Sequence, residues 1–178
     1  MPLTKVSGDD ALAQAKSGLG SKLTKAELNH DQLDLTCEPT DLVEVATYLR
    51  DDLGLSYFAF LSAIDRSELG DKPGPLEVLL HLYGPDNGVH ATVHVPVAME
   101  GGVCPTLTGV FLGAIWHERE THEFYGIDFE GHPRLVGLYL PEDFEGHPGL
   151  RSFKLPTRTA VKAWPGAKDP EEAAAGGH

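Results

Sequence analysis

The chain has 178 residues, 41% of them hydrophobic, enough for one domain with tails or a domain with a small lobe. Its 27 Asp and Glu stand against 14 Lys and Arg, a net charge of −13, so it lacks the basic face that replaces counterions on nucleic acid or on an anionic membrane. The longest uncharged run, Gly101 to Trp116, is 16 residues long and contains Pro105, short of the roughly 18 to 20 apolar residues that a membrane span requires.

Met1-Pro2-Leu3-Thr4-Lys5 shows neither the apolar run of a signal peptide nor an Arg-rich amphipathic opening, which makes cytoplasmic residence the expectation. Asp10 to Ser17 is Ala-rich and predicts a short helix stopped by Gly18 and Gly20. Lys22–Leu28 and Gln32–Cys37 alternate on either side of Asn29-His30-Asp31 and predict a hairpin. Thr40 is the expected N-cap of the next helix: Asp41 and Glu44 lie in its first turn, Leu42, Val45, Ala46 and Leu49 recur at helical spacing, and Gly54 ends it.

Three strand-like runs follow: Ser56–Ile64, Leu76–Tyr83 and Val89–Val97. The linkers Gly70–Pro75 and Gly84–Gly88 are dense in turn formers, and the shorter one predicts an antiparallel meander. Thr108–Glu123 reads mostly as helix. The expected fold is α+β, two-layer, a mainly antiparallel sheet with helices on one face, followed by an extended irregular C-terminal tail. The expected organisation is a body over 1–125, a Pro/Gly-rich partner-docking extension over 126–166 and a disordered tail over 167–178. Residues 126 to 166 carry apolar anchors, Phe129, Leu135, Leu138, Tyr139, Leu140, Phe144, Phe153 and Trp164, but little periodicity, so their order is expected to come from docking.

Within that extension the chain writes one hexapeptide twice, at Asp128-Phe129-Glu130-Gly131-His132-Pro133 and at Asp143-Phe144-Glu145-Gly146-His147-Pro148. Each copy joins a Gly that accepts positive φ to a Pro that fixes its own φ and pushes the preceding His into extended backbone. Two copies do not make a repeat array. One reading is a pair of similar turns around Leu135–Leu140; the other is a segment shaped to cross a partner protein.

The chemistry points away from an independent active site. His117-Glu118 and His122-Glu123 suggest a zinc helix, but HExxH places its ligands four apart, whereas five residues set His117 and His122 about 140° apart round a helix. His90 and His94, four apart on a strand, are about 13 Å from each other. Cys37 and Cys104 are the only cysteines; they cannot supply an iron–sulfur cluster or a four-thiolate zinc site, and a buried, reduced pair is expected. Glu118, Glu120 and Glu123 surround Arg119, as solvated or paired helix charges do.

Glu118-Arg119-Glu120, Glu123-Phe124-Tyr125-Gly126-Ile127, Phe129–Pro133 and Leu140–Pro148, in this order and spacing, resemble the signature of the 30 kDa subunit of respiratory complex I, the C subunit of the bacterial NADH-quinone oxidoreductase. Weaker likeness runs upstream to about residue 40. The chain departs from the family where paired Arg is usual and Val136-Gly137 stands, at Gly149-Leu150-Arg151-Ser152-Phe153, and where Glu123 replaces Asp. The resemblance implies a peripheral-arm subunit of a proton-translocating NADH:quinone oxidoreductase, on the cytoplasmic face of the inner membrane. It implies no flavin, cluster or metal in this chain, with FMN and iron–sulfur clusters in neighbouring subunits, and binding to the 49 kDa quinone-reactive subunit.

The residues then expected to serve structure or the interface are Glu118, Arg119, Glu120, Glu123, Gly126, Gly131, His132, Pro133, Gly146, His147 and Pro148, with Arg119 pairing a carboxylate. The alternatives are the same module in a membrane-bound hydrogenase or an F420H2 or ferredoxin:quinone oxidoreductase and, from another class, a stand-alone metal hydrolase.

Overall fold

A computed structural model describes residues 5–68 and 74–155. Trp164, the segment 167–178 and most of the Gly70–Pro75 linker lie outside those residues. Helix α1 (Gly8–Leu19) begins where the Ser7 side chain accepts from the Asp10 N–H, with Asp9 and Asp10 in its first turn. It runs through Gly18, which the sequence pattern marks as a stop. The reason is contact: a Cβ there would collide with the Tyr48 ring, so the glycine admits α2 and the helix ends at Gly20 instead.

Strands β1 (Leu23–Asn29) and β2 (Gln32–Cys37) form the expected hairpin, and His30 and Asp31 both take positive φ, as a two-residue type I′ turn needs. Helix α2 (Leu42–Asp51) is not capped by Thr40. A single 3-10 turn, Pro39–Asp41, leads into it, because Pro39 supplies the preset φ of a first helical position. Gly54, at φ 71°, lies beyond the end of α2 and turns the chain back so that Leu55 N–H reaches Leu49 O at 2.9 Å.

Strands β3 (Tyr57–Asp65), β4 (Leu76–Tyr83) and β5 (His90–Val97) make the antiparallel meander. The five-stranded sheet has the order β1-β2-β5-β4-β3, and its parallel pair, β2 with β5, joins hairpin to meander. Register sets Leu35, Val93, Leu80 and Leu61 in one rung, and Val95, Val78 and Ala63 in the next. All are buried, in one apolar cluster with Val45, Ala46 and Leu49 of α2 and Ala11 and Ala15 of α1. Strict alternation along β5 leaves His90, Thr92, His94 and Pro96 half-buried on the other face.

A short β6 (Val103–Pro105), α3 (Ala114–Tyr125) and β7 (Asp128–Glu130) complete the body, with β6 and β7 parallel and Cys104 opposite Phe129. Thr108–Gly113 are turns, not the first turns of α3. Gly109 and Gly113 loosen them, and the Leu107 N–H is spent on the Glu118 carboxylate. Gly126, at φ 74°, closes α3 in the left-handed conformation.

Body and extension meet later than the expected boundary after residue 125. Ile127 is fully buried, Phe129 is 3% exposed, and β7 pairs with β6, so residues 126 to 130 belong to the body. A three-residue strand is too short to show a period. Residues 131 to 155 contain no helix or strand.

Candidate functional site

Helix α3 and the segment after it form a strapped unit. The strap begins at the first hexapeptide, where Gly131 takes φ 83° and turns the chain back over the helix. The Arg134 N–H donates to His132 Nδ1 at 3.0 Å, which leaves Nε2 as the N–H that donates to Ile115 O at 3.1 Å. The second hexapeptide repeats the bend, with Gly146 at φ 88°, and His147 Nδ1 donates to Glu123 O at 2.9 Å. The two imidazoles grip carbonyls eight residues apart, about 12 Å along the helix.

The middle of the strap is held by two side chains one turn apart. Arg119 donates through Nε to Val136 O at 2.8 Å and through a terminal nitrogen to Gly137 O at 2.7 Å. Glu123 then accepts from the next three backbone N–H groups, Leu138, Tyr139 and Leu140, at 2.9 to 3.1 Å. One i, i+4 pair thus meets a backbone polar group on each of five consecutive residues, 136 to 140. This corrects two expectations. Arg119 binds carbonyls, not a carboxylate, because the strap presents its carbonyls to the helix; and the middle of the strap, residues 136 to 140, finds these partners for its backbone within the chain, so a docking surface is not needed to satisfy them.

The remaining signature residues divide by burial. Glu118 is fully buried and accepts from Leu107 N and Thr106 Oγ1, both at 2.6 Å, tying the loop after β6 to α3. Burial holds its carboxyl above the usual range despite those bonds. Glu123 goes the other way: its burial is outweighed by the three N–H groups and by Arg119, and its carboxyl sits below the usual range. For Glu120 no hydrogen bond or ion pair is found among the described residues. Gly126 is coupled to the second copy, since a Cβ there would meet His147 Nε2 at 2.7 Å. Pro133 and Pro148 follow the two gripping histidines and set their extended backbone.

His117 and His122 point to separate partners. His117 Nδ1 lies 3.1 Å from Leu61 O on β3, whereas His122 Nδ1 lies 2.9 Å from Ile127 O and 3.2 Å from Asp128. Among the described residues no group of three or more His, Cys, Asp or Glu could hold a metal ion. Cys37 and Cys104 are buried free thiols, each pushed up to about 12 chiefly by burial, which leaves them protonated and unreactive.

One tie is absent from the sequence-based expectations. Asp65, buried at the end of β3, accepts the Arg151 N–H at 2.8 Å, and its carbonyl accepts Arg151 Nε at 3.0 Å, which fastens the end of the strap to the sheet. A lone acid closing an apolar strand was the available signal. Between strap and helix lies a cleft of about 170 Å³ lined by Glu123, Leu140, Pro141, Phe144 and His147 among others. Tyr139 and Trp116 are exposed large aromatics of this unit, the latter with Arg119 over its ring at 5.2 Å.

No helix among the described residues is long and apolar enough to cross a membrane. Solved structures share the fold. The trypsin-resistant fragment (1-134) of Nqo5 matches with TM-score 0.61 and 25% identity over 71% of this chain and 98% of that fragment. A chain of an archaeal membrane-bound sulfane sulfur reductase matches with TM-score 0.70 and 20% identity over 83% of this chain and 86% of its own length.

In sequence, the NADH-quinone oxidoreductase C subunit of Mesorhizobium japonicum is 35% identical over 129 residues, 70% of this chain and 63% of that relative. The C subunit of the Salinispora arenicola oxidoreductase is 32% identical over 146 residues, 82% of this chain and 60% of that relative. The chain therefore spans less than two thirds of the length of these relatives. The family described as respiratory-chain NADH dehydrogenase, 30 Kd subunit, matches residues 35–159, the stretch that contains the sheet, α3 and the strap, and to that family the chain belongs.

Proposed function

We propose that this chain is a redox-inert peripheral-arm subunit of a proton-translocating NADH:quinone oxidoreductase and that the strapped face of α3 docks on the 49 kDa quinone-reactive subunit. The observation that carries this reading is what the clamp displays. By spending Arg119 and Glu123 on backbone, it holds two exposed aromatics in place, Trp116 under the Arg119 guanidinium and Tyr139 against Phe124, 57% and 64% exposed. Trp, Tyr and Arg are the residue types that dominate binding energy at protein interfaces, and side chains already fixed lose less entropy on docking.

On this reading the chain contributes position. FMN and iron–sulfur clusters belong to neighbouring subunits, and the assembly sits at the cytoplasmic face of the membrane. The test is coexpression of the full chain with its complex. Trp116→Ala combined with Tyr139→Ala is expected to lower the yield of assembled complex on a native gel while the purified variant unfolds at the wild-type midpoint. Assembly at full yield would move the dock elsewhere. A second reading, the same module in a membrane-bound hydrogenase or an F420H2 or ferredoxin:quinone oxidoreductase, is favoured at the level of fold by the sulfane sulfur reductase likeness. The proteins that copurify decide between them.

A further inference from the structure

On the sheet face turned away from the helices, β4 and β5 bring His81 and His90 together on a diagonal, His81 lying opposite Thr92 and His90 opposite Tyr83. His81 Nε2 is 3.3 Å from His90 Nδ1. Both rings are held in place. His81 lies parallel to Phe60, with centroids 5.4 Å and planes 6° apart, and its Nδ1 is 2.9 Å from Thr92 Oγ1. His90 packs on Tyr83 at 4.4 Å. With Thr92 accepting the Nδ1–H of His81, the Nε2 lone pair is left aimed at His90.

Two nitrogens held at about 2.0 to 2.1 Å from one tetrahedral zinc ion stand about 3.3 to 3.4 Å from each other, which is the spacing found here. We propose that His81 and His90 form a two-imidazole site for a divalent transition-metal ion of the zinc type, with Thr92 fixing the ligating tautomer and water completing the coordination. Loading costs no net proton: His90 moves its single ring hydrogen from Nδ1 to Nε2, and Nδ1 takes the metal. Both histidines are half-buried, so an ion reaches them from solvent. Phe60 and Tyr83 restrict the rings, as outer-shell groups do at metal sites. His94, four residues along β5, stands 3.3 Å from both Asp34 and Glu77 and takes no part.

The test uses the full chain, stripped with chelator and titrated with zinc chloride by calorimetry at neutral pH. One ion per chain is expected. His81→Gln or His90→Gln should abolish uptake, Thr92→Val should weaken it about tenfold, and His94→Gln should leave it unchanged, with thermal unfolding confirming that each variant folds. No uptake by the folded wild-type protein, or uptake that survives both His81→Gln and His90→Gln, overturns the site. On the wild-type protein, substoichiometric cobalt(II) should broaden the imidazole signals of His81 and His90 before those of the other histidines; broadening first elsewhere overturns it as well.

Discussion

The two copies of Asp-Phe-Glu-Gly-His-Pro share a sequence and a bend but not an environment. Gly131 and Gly146 take φ values of 83° and 88°, and each following histidine donates to a carbonyl of α3. Phe129, however, sits in β7 at 3% exposure, while Phe144 is 39% exposed and stacked on Phe153 at 5.8 Å. Even the histidines differ, one bonding through Nε2 and the other through Nδ1. Gly-His-Pro sets local geometry through backbone sterics, and the aromatic two residues before the glycine is placed by whatever the surrounding chain offers.

The sharpest way to break this contrast is to truncate both aromatics. Phe129→Ala should cost about 3 to 5 kcal/mol of stability, as a buried Phe does, and a denaturant midpoint close to wild type would mean that β7 is not part of the core. Phe144→Ala should leave that midpoint nearly unmoved and lower the yield of assembled complex instead.

The next effect is at the clamp. Glu123→Ala leaves three strap N–H groups without their acceptor, at a cost of about 1 to 3 kcal/mol. The pH dependence adds a sign test. A carboxyl held below its unfolded value stabilises above that value, and the contribution is lost as pH falls through the folded one, so Glu123 makes the protein less stable in acid. Glu118, held above its unfolded value, acts oppositely and lowers stability as pH rises from its unfolded toward its folded value. Denaturation at stepped pH should therefore show a weaker acid loss in Glu123→Gln and a weaker loss on raising pH in Glu118→Gln. The same slope in both variants would refute the division.

Arg119→Ala, expected to cost about 1 to 2 kcal/mol for its two carbonyl bonds, should lower the amount of assembled complex and leave turnover per assembled complex unchanged. Normal assembly with lost turnover would assign Arg119 a catalytic part. A smaller effect should come from the repeats' own histidines, about 1 kcal/mol each for His132→Ala and His147→Ala. Unequal costs would show that the copies differ in their grip on α3 as well as in burial.

Truncation tests the revised boundary. Ending the chain at Ile127 removes Phe129 and β7, so that fragment is expected to lose stability; ending it at Glu130 keeps the buried body, and retained cooperative unfolding would confirm the boundary.

Much of the body was legible because its signals are local. Turn formers bracket β3, β4 and β5, and apolar residues alternate along them. The parallel pairing of β2 with β5 was not, since hydrogen bonds between segments distant in sequence leave no local pattern. At the site, Glu118, Arg119, Glu123, His132 and His147 were all singled out, yet what they bind was hidden: four of the five are met by backbone alone, and any sequence supplies N–H and C=O groups. The same holds for His81 with His90, where a diagonal across two strands is invisible until register is known.

The His117 bond to Leu61 and the Arg151 bonds to Asp65 have one more consequence. β3 is the last strand of the sheet, the position where an incoming extended chain ordinarily pairs. Here an imidazole occupies the outward backbone at Leu61 and the strap closes the end at Asp65. A foreign strand, whether from a misfolded copy or from a partner's loop, could pair along this half of the border only by displacing the imidazole and the strap, which favours recognition there through side chains, by shape and chemistry instead of by indiscriminate β-pairing.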